Sequence, residues 1–225
     1  MKKKYITMMM GLFALLLTSS VIYSQSNSSK EQIKDGFDEI QSSLEKEKLN
    51  SNLRANSPLV EGEGIRITTD TFIFYKKSSE LVSGLQNNVV KQRPQSDDDI
   101  IKELIKSELT ALHAKKLGLK ATSQEINGVI TSERAALHDS NLDPDHDLVK
   151  ELMSNRIRIT GLTEDKFWNS EDTRVGYEKA ILIGKLYDRL LKKGTIKDVA
   201  DFDKYQTGLL NDSQGKLKIN YDAIK

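Results

Sequence analysis

The sequence predicts a mainly α-helical fold with one small antiparallel β pairing. Only three Pro and 13 Gly interrupt 225 residues, which leaves room for long uninterrupted helices. Charged residues make up 30% and apolar ones 37%, a balance that fits polar-faced helices better than a turn-rich sandwich. Apolar residues recur at spacings of three and four along most of the chain, while clear alternation is confined to two short stretches.

The chain begins with Lys2-Lys3-Lys4 and an apolar run over residues 6–17, followed by Thr18-Ser19-Ser20 and then Val21-Ile22-Tyr23-Ser24-Gln25-Ser26. That order is the order of a secretory signal peptide. Residues 6–23 are near the lower limit of roughly 17 residues for a span, so an uncleaved anchor is the alternative. Removing residues 1–26 takes three Lys and no acid, which leaves 31 basic against 33 acidic residues, a balance of −2. A body of that charge has no electrostatic case for nucleic acid. Without Cys there is no disulfide, thiolate metal site, catalytic thiol or Cys-linked lipid anchor.

From 31 to 54 an apolar stripe at Ile33, Phe37, Ile40 and Leu44 predicts an amphipathic helical arm. This stripe needs a partner surface, and self-association is one way to supply it. Residues 55–64, with Pro58, Gly62 and Gly64, read as a linker. Ile65-Arg66-Ile67-Thr68 alternates as a strand does. Thr68 or Thr69 then caps a helix over about 70–90.

Ser96-Asp97-Asp98-Asp99 opens a helix over 97–117, and Gly118 closes it with Leu119 folding back. Thr122-Ser123-Gln124-Glu125 is a capping box for the next helix, which carries Ile126, Val129, Ile130 and Leu137. Asp143-Pro144 starts a helix that stops at Gly161. Thr163 caps a short turn that holds Phe167 and Trp168. A long helix follows over 171–193, ended by Gly194, and another over 196–210. Residues 216–221 alternate as a second strand, with 65–67 as its partner.

Candidate chemistry is sparse. His138 to Asp147 is the densest ligand-like cluster, but a calcium loop counted from Asp139 meets Pro144 where Gly is required and Lys150 where Glu is required. A transition-metal site on His138 and His146 remains open, against the simpler reading of a solvated loop. Asp97, Asp98 and Asp99 are better explained by the helix dipole than by a cation. There is no nucleophile elbow, dinucleotide fingerprint or phosphate loop. The expectation is therefore no enzyme, no catalytic residue, no metal and no cofactor. Phe167-Trp168 is the most concentrated aromatic feature. It reads as a core anchor or as a contact for apolar peptide segments.

The stretch 101–126, with its helix, the run Ala114-Lys115-Lys116-Leu117-Gly118, and the capped start at Thr122, resembles the N-terminal chaperone region of SurA, shared in outline with PrsA and trigger factor. Ile67-Thr68-Thr69-Asp70-Thr71-Phe72 is similar to that family's strand-to-helix junction, with Asp70-Thr71 a departure. Gly161-Leu162-Thr163, followed by Phe167-Trp168, looks like its turn before the last long helix. The resemblance covers about 65–222. It implies a helical bundle of the SurA N-terminal type, with the first and last segments paired as two antiparallel strands.

On that basis residues 1–26 are the signal, 27–64 an arm and linker, and 65–225 the chaperone domain. The implied function is an exported holdase that binds unfolded or extended polypeptide clients, with Phe167 and Trp168 in the peptide contact. The implied location is outside the cytoplasm, with membrane contact only through an uncleaved signal. An envelope adaptor with one specific partner is the first rival. A prolyl isomerase relative without activity is the second, since no β-rich segment remains to build a parvulin domain.

Overall fold

The computed structural model describes residues 27–50, 58–86, 95–138 and 144–224. The signal-like segment 1–26 lies outside them. Eight helices and three strands occur among the described residues. In chain order these are α1 (Asn27–Asn50), β1 (Pro58–Gly62), β2 (Ile65–Thr68), α2 (Thr69–Gln86), α3 (Asp97–Lys116), α4 (Ser123–His138), α5 (Pro144–Ile159), α6 (Glu164–Asn169), α7 (Glu171–Lys192), α8 (Val199–Asp212) and β3 (Lys218–Ile219). A 3-10 turn over Tyr221–Ile224 ends the described chain.

The described residues fall into two compact units. One holds 27–43, 77–86 and 122–178. The other holds 44–50, 58–76, 95–121 and 179–224. Helices α1, α2 and α7 each contribute residues to both.

In the first unit the α1 stripe is fully buried at Ile33, Phe37 and Ile40. Gly36 lets α1 lie close to α2, because a Cβ there would stand 2.5 Å from Leu81 Cδ1. Ion pairs fix the same helix from two sides: Arg158 of α5 reaches Asp38 at 2.6 Å, and Lys77 of α2 reaches Glu39 at 2.8 Å. The predicted arm is thus a packed element of this unit.

The second unit contains the sheet, ordered β2-β1-β3 and antiparallel throughout. This corrects three sequence expectations. The 55–64 linker contains β1, and the sheet has three strands where two were expected. The last segment pairs with β1 (Val60 with Ile219, Glu61 with Lys218) and not with β2. β1 hides in the sequence because it offers only two apolar residues, Leu59 and Val60, between Pro58 and Gly62. Pro58 is tolerated as the first residue of a strand, where no donor is needed. The β1–β2 connection is a two-residue hairpin with Glu63 (φ 51°) and Gly64 (φ 85°) both left-handed, the backbone of a type I′ turn. β3 is shorter than the predicted 216–221 because Tyr221 already enters the 3-10 turn.

The capping chemistry forms as the sequence spells it. Asp99 N donates to Ser96 Oγ (3.2 Å) at the start of α3. At its end Gly118 N donates to Lys115 O (2.9 Å) and Leu119 N to Ala114 O (3.0 Å), a Schellman closure with Gly118 at φ 77°. Thr122 and Glu125 then exchange bonds, Thr122 N to Glu125 Oε2 (2.8 Å) and Glu125 N to Thr122 Oγ1 (3.2 Å). The start of α8 differs from expectation. Asp198 caps it by accepting from Asp201 N (2.9 Å), so the helix begins at Val199 and Ile196 packs ahead of it.

The core of the second unit joins Ala114, Leu182, Leu186, Leu190, Ile196 and Phe202. A polar seam holds α8 to α3. Lys106 donates to Asp203 (2.6 Å), Gln206 to Thr110 (3.1 Å), and Tyr205 lies 2.9 Å from His113 Nε2.

Candidate functional site

Phe167 and Trp168 lie on α6, a single short helix of the first unit. Thr163 caps it by accepting from Lys166 N at 3.4 Å. Both aromatic side chains are buried, and Trp168 is 0% exposed. Phe167 meets the Trp168 ring edge-on at 5.2 Å, and Tyr177 of α7 stacks on it at 6.2 Å. The Arg156 guanidinium of α5 lies 5.8 Å from the Phe167 ring centre, within cation–π range.

The polar handle of Trp168 is satisfied. Its Nε1 donates to Glu164 Oε1 at 3.2 Å, one helical turn back. The same carboxylate oxygen lies 3.1 Å from His138 Nε2 and 3.5 Å from Arg134 Nε, both on α4. Arg134 also reaches Asp165 at 2.5 Å. Burial alone would raise the Glu164 carboxyl, but the bonds from His138 and Trp168 outweigh it and hold the group below its ordinary value. Around this hub, burial pushes both the Glu133 carboxyl and the Tyr177 phenol upward, with Glu133 adding to the rise at Tyr177 and Arg156 opposing it.

This arrangement anchors α6 against its neighbours and presents no exposed aromatic face. Of the hub, Trp168 stood out in the sequence while Glu164 was missed, its only signal being its position four residues before the ring. Arg134, His138, Arg156 and Tyr177 come from other helices and leave no local signal.

The other sequence candidates separate. His138 is committed to Glu164, while residues 139–143 lie outside the described residues, as does the side chain of His146. Among the described residues no three His, Asp or Glu side chains converge as a metal site. The acids at the start of α3 have protein partners: Asp97 pairs with Lys76 at 2.6 Å, and Ser96 Oγ donates to Asp99 Oδ2 at 2.7 Å. Burial pushes the His113 imidazole below its ordinary value, with nearby Lys116 adding to the effect. Burial likewise raises the Tyr205 phenol beside it. Among the described residues, the large apolar side chains left exposed are Leu49, Leu117, Leu162, Val175, Val199 and Tyr221. No helix among them is long and apolar enough to cross a membrane.

The chain matches no family model, no curated protein and no solved structure.

Proposed function

We propose that this chain is an exported, chaperone-like protein that holds unfolded or extended polypeptides outside the cytoplasm. One observation carries the reading. The segment 101–126, where the resemblance to SurA-type chaperones is densest, forms a helix, a glycine closure and a reciprocally capped second helix in that order. The finer assignment of the helices to a bundle of the SurA N-terminal type belongs to the same proposal. Such a function needs apolar contact surface kept soluble by charge, and it needs neither a cofactor nor nucleotide hydrolysis.

The rival reading, an envelope adaptor with one partner, is favoured by the burial of Phe167 and Trp168, which withholds the most obvious peptide contact. Mixing the purified protein in stoichiometric excess with a heat-aggregating client separates the two. The proposal expects light scattering to be suppressed for several unrelated clients. A folded protein that leaves aggregation unchanged, yet retrieves one stoichiometric partner, would show the adaptor reading to be correct.

A further inference from the structure

The net charge of +1 conceals a local imbalance. Residues 115–120 carry Lys115, Lys116 and Lys120, and residues 185–193 carry Lys185, Arg189, Lys192 and Lys193. Against these seven cations stands one acid, Asp188, so these stretches balance to +6 and the rest of the chain to −5. The fold brings the two stretches together inside one unit. Arg189 Nη1 donates to Leu117 O at 3.0 Å, and Lys185 Nζ donates to Lys120 O at 2.7 Å. Beneath them Ala114, Leu186 and Leu190 share a core.

Two of the cations have an ordinary structural role. Arg189 and Lys185 satisfy carbonyls where α3 ends, as basic residues at helix C-termini do. Lys116, Lys120, Lys192 and Lys193 are exposed beyond that need. Among them Leu117 remains 39% exposed. The same unit leaves Val199 68% exposed on the first turn of α8, three residues after the buried Ile196. The nearby acids Asp198 and Asp201 are engaged on the α8 N-terminus, accepting from Asp201 N and Lys197 N.

We propose that the joined C-terminal ends of α3 and α7 form a docking surface for an anionic phospholipid membrane. Charge and chemistry both select that occupant. Six of the seven cations are Lys, whose long apolar stems lie along a surface while the ammonium reaches phosphate. Arg is the residue that reads planar, bidentate acceptors such as bases, and only one is present. Leu117 has no counterpart in a nucleic-acid backbone, whereas the headgroup boundary of a bilayer takes both charge and aliphatic groups.

The test uses the full chain and vesicles of pure phosphatidylcholine or of phosphatidylcholine with phosphatidylglycerol. One variant reverses the patch (Lys116→Glu, Lys120→Glu, Lys192→Glu, Lys193→Glu). A charge-matched control reverses exposed lysines elsewhere (Lys102→Glu, Lys204→Glu, Lys216→Glu, Lys218→Glu). Comparison with this control separates the patch from any binding by residues 1–26. The wild type should prefer the anionic vesicles and release as salt rises. The patch variant should lose at least about tenfold in affinity, while the control stays close to wild type.

Leu117→Ser, which leaves every charge in place, should weaken binding severalfold and guards against a misfolded quadruple variant. Equal binding by patch and control variants overturns the proposal, as does equal wild-type binding to both vesicle types. Saturable binding to soluble polyglutamate without vesicle binding would also overturn it, making the occupant an acidic polypeptide.

Discussion

Trp168 joins several interactions of the first unit in one buried side chain. It is the only tryptophan in the chain, it is wholly buried, and it touches Phe167, Tyr177 and Glu164. Truncating it to Ala removes a large ring from a site that cannot collapse freely, and the expected cost is about 3–5 kcal/mol. Trp168→Phe keeps most of the apolar volume but deletes the Nε1 donor. Its expected cost is smaller, about 1–2 kcal/mol, because Glu164 retains His138 and Arg134. Urea unfolding followed by circular dichroism measures both, since the variants lose the fluorescent probe. If Trp168→Ala cost no more than Trp168→Phe, packing would not be the source of the effect. Lys106 presents the opposite case, a buried cation on α3. Burial would depress its ammonium, yet Asp203 and Glu103 hold it above its ordinary value. Replacing it with Met leaves both acids at the surface, so the expected change in stability is within about 1 kcal/mol.

At the level of elements, the hairpin joining β1 and β2 rests on an uncommon choice. Glu63 adopts φ 51° without being Gly, Asn or Asp, which costs a residue with a Cβ roughly 1–2 kcal/mol. Glu63→Gly or Glu63→Asn should therefore raise the urea midpoint, with a gain of about 1 kcal/mol. The one ion pair lost, to Lys216 at 3.9 Å, is long and exposed, and contributes little. Gly62 behaves in the opposite sense. A Cβ there would lie 2.3 Å from Lys216 O, a backbone atom of the segment leading into β3. Gly62→Ala should separate β3 from β1 at a cost of about 1–3 kcal/mol, visible as lost protection of Asn220 N in hydrogen exchange. The same hairpin shows where sequence reading stops. Helix ends were legible because Ser96, Thr122, Thr163 and Gly118 act on backbone within a few residues of themselves. β1 was not, because its pattern is two apolar residues long and its turn uses Glu63 where Asn or Gly would have announced a hairpin. Strand partners are chosen by contacts distant in sequence, so the pairing of β3 with β1 had no local mark.

On the scale of the whole molecule, function was less legible than fold. Phe167 and Trp168 stood out as aromatic density, but composition cannot separate a buried anchor from an exposed contact; only Tyr177 and Arg156, from other helices, decide it. The charge layout was hidden the same way, since +1 is the sum of a basic corner and an acidic remainder. Burial and local hydrogen bonds at individual groups set how stability follows pH. Burial, with Lys116 adding, holds His113 below its unfolded value near 6.5, so the folded state favours the neutral ring. This contribution is complete above about pH 6.5 and is lost as pH falls toward the folded value. Asp38 is held low by hydrogen bonds from Arg158 and then Lys34, and Asp201 by bonds from Lys204 and then Lys197. Glu164 is held low despite its burial. These carboxylates add stability that is lost as pH falls below about 4. Glu133, raised by burial, acts in the opposite direction, because its folded form gains by taking up a proton. Its window lies above the ordinary carboxyl value and closes before the other three begin to lose theirs, so the melting temperature should fall in two stages on acidification, first just below pH 6.5 and then below about pH 4. Melts of the wild type and of His113→Gln across pH 7.5 to 3 separate the stages. The variant should lose the first and keep the second. A wild-type melting temperature that stays level between pH 7 and 5.5 would remove His113 from this account.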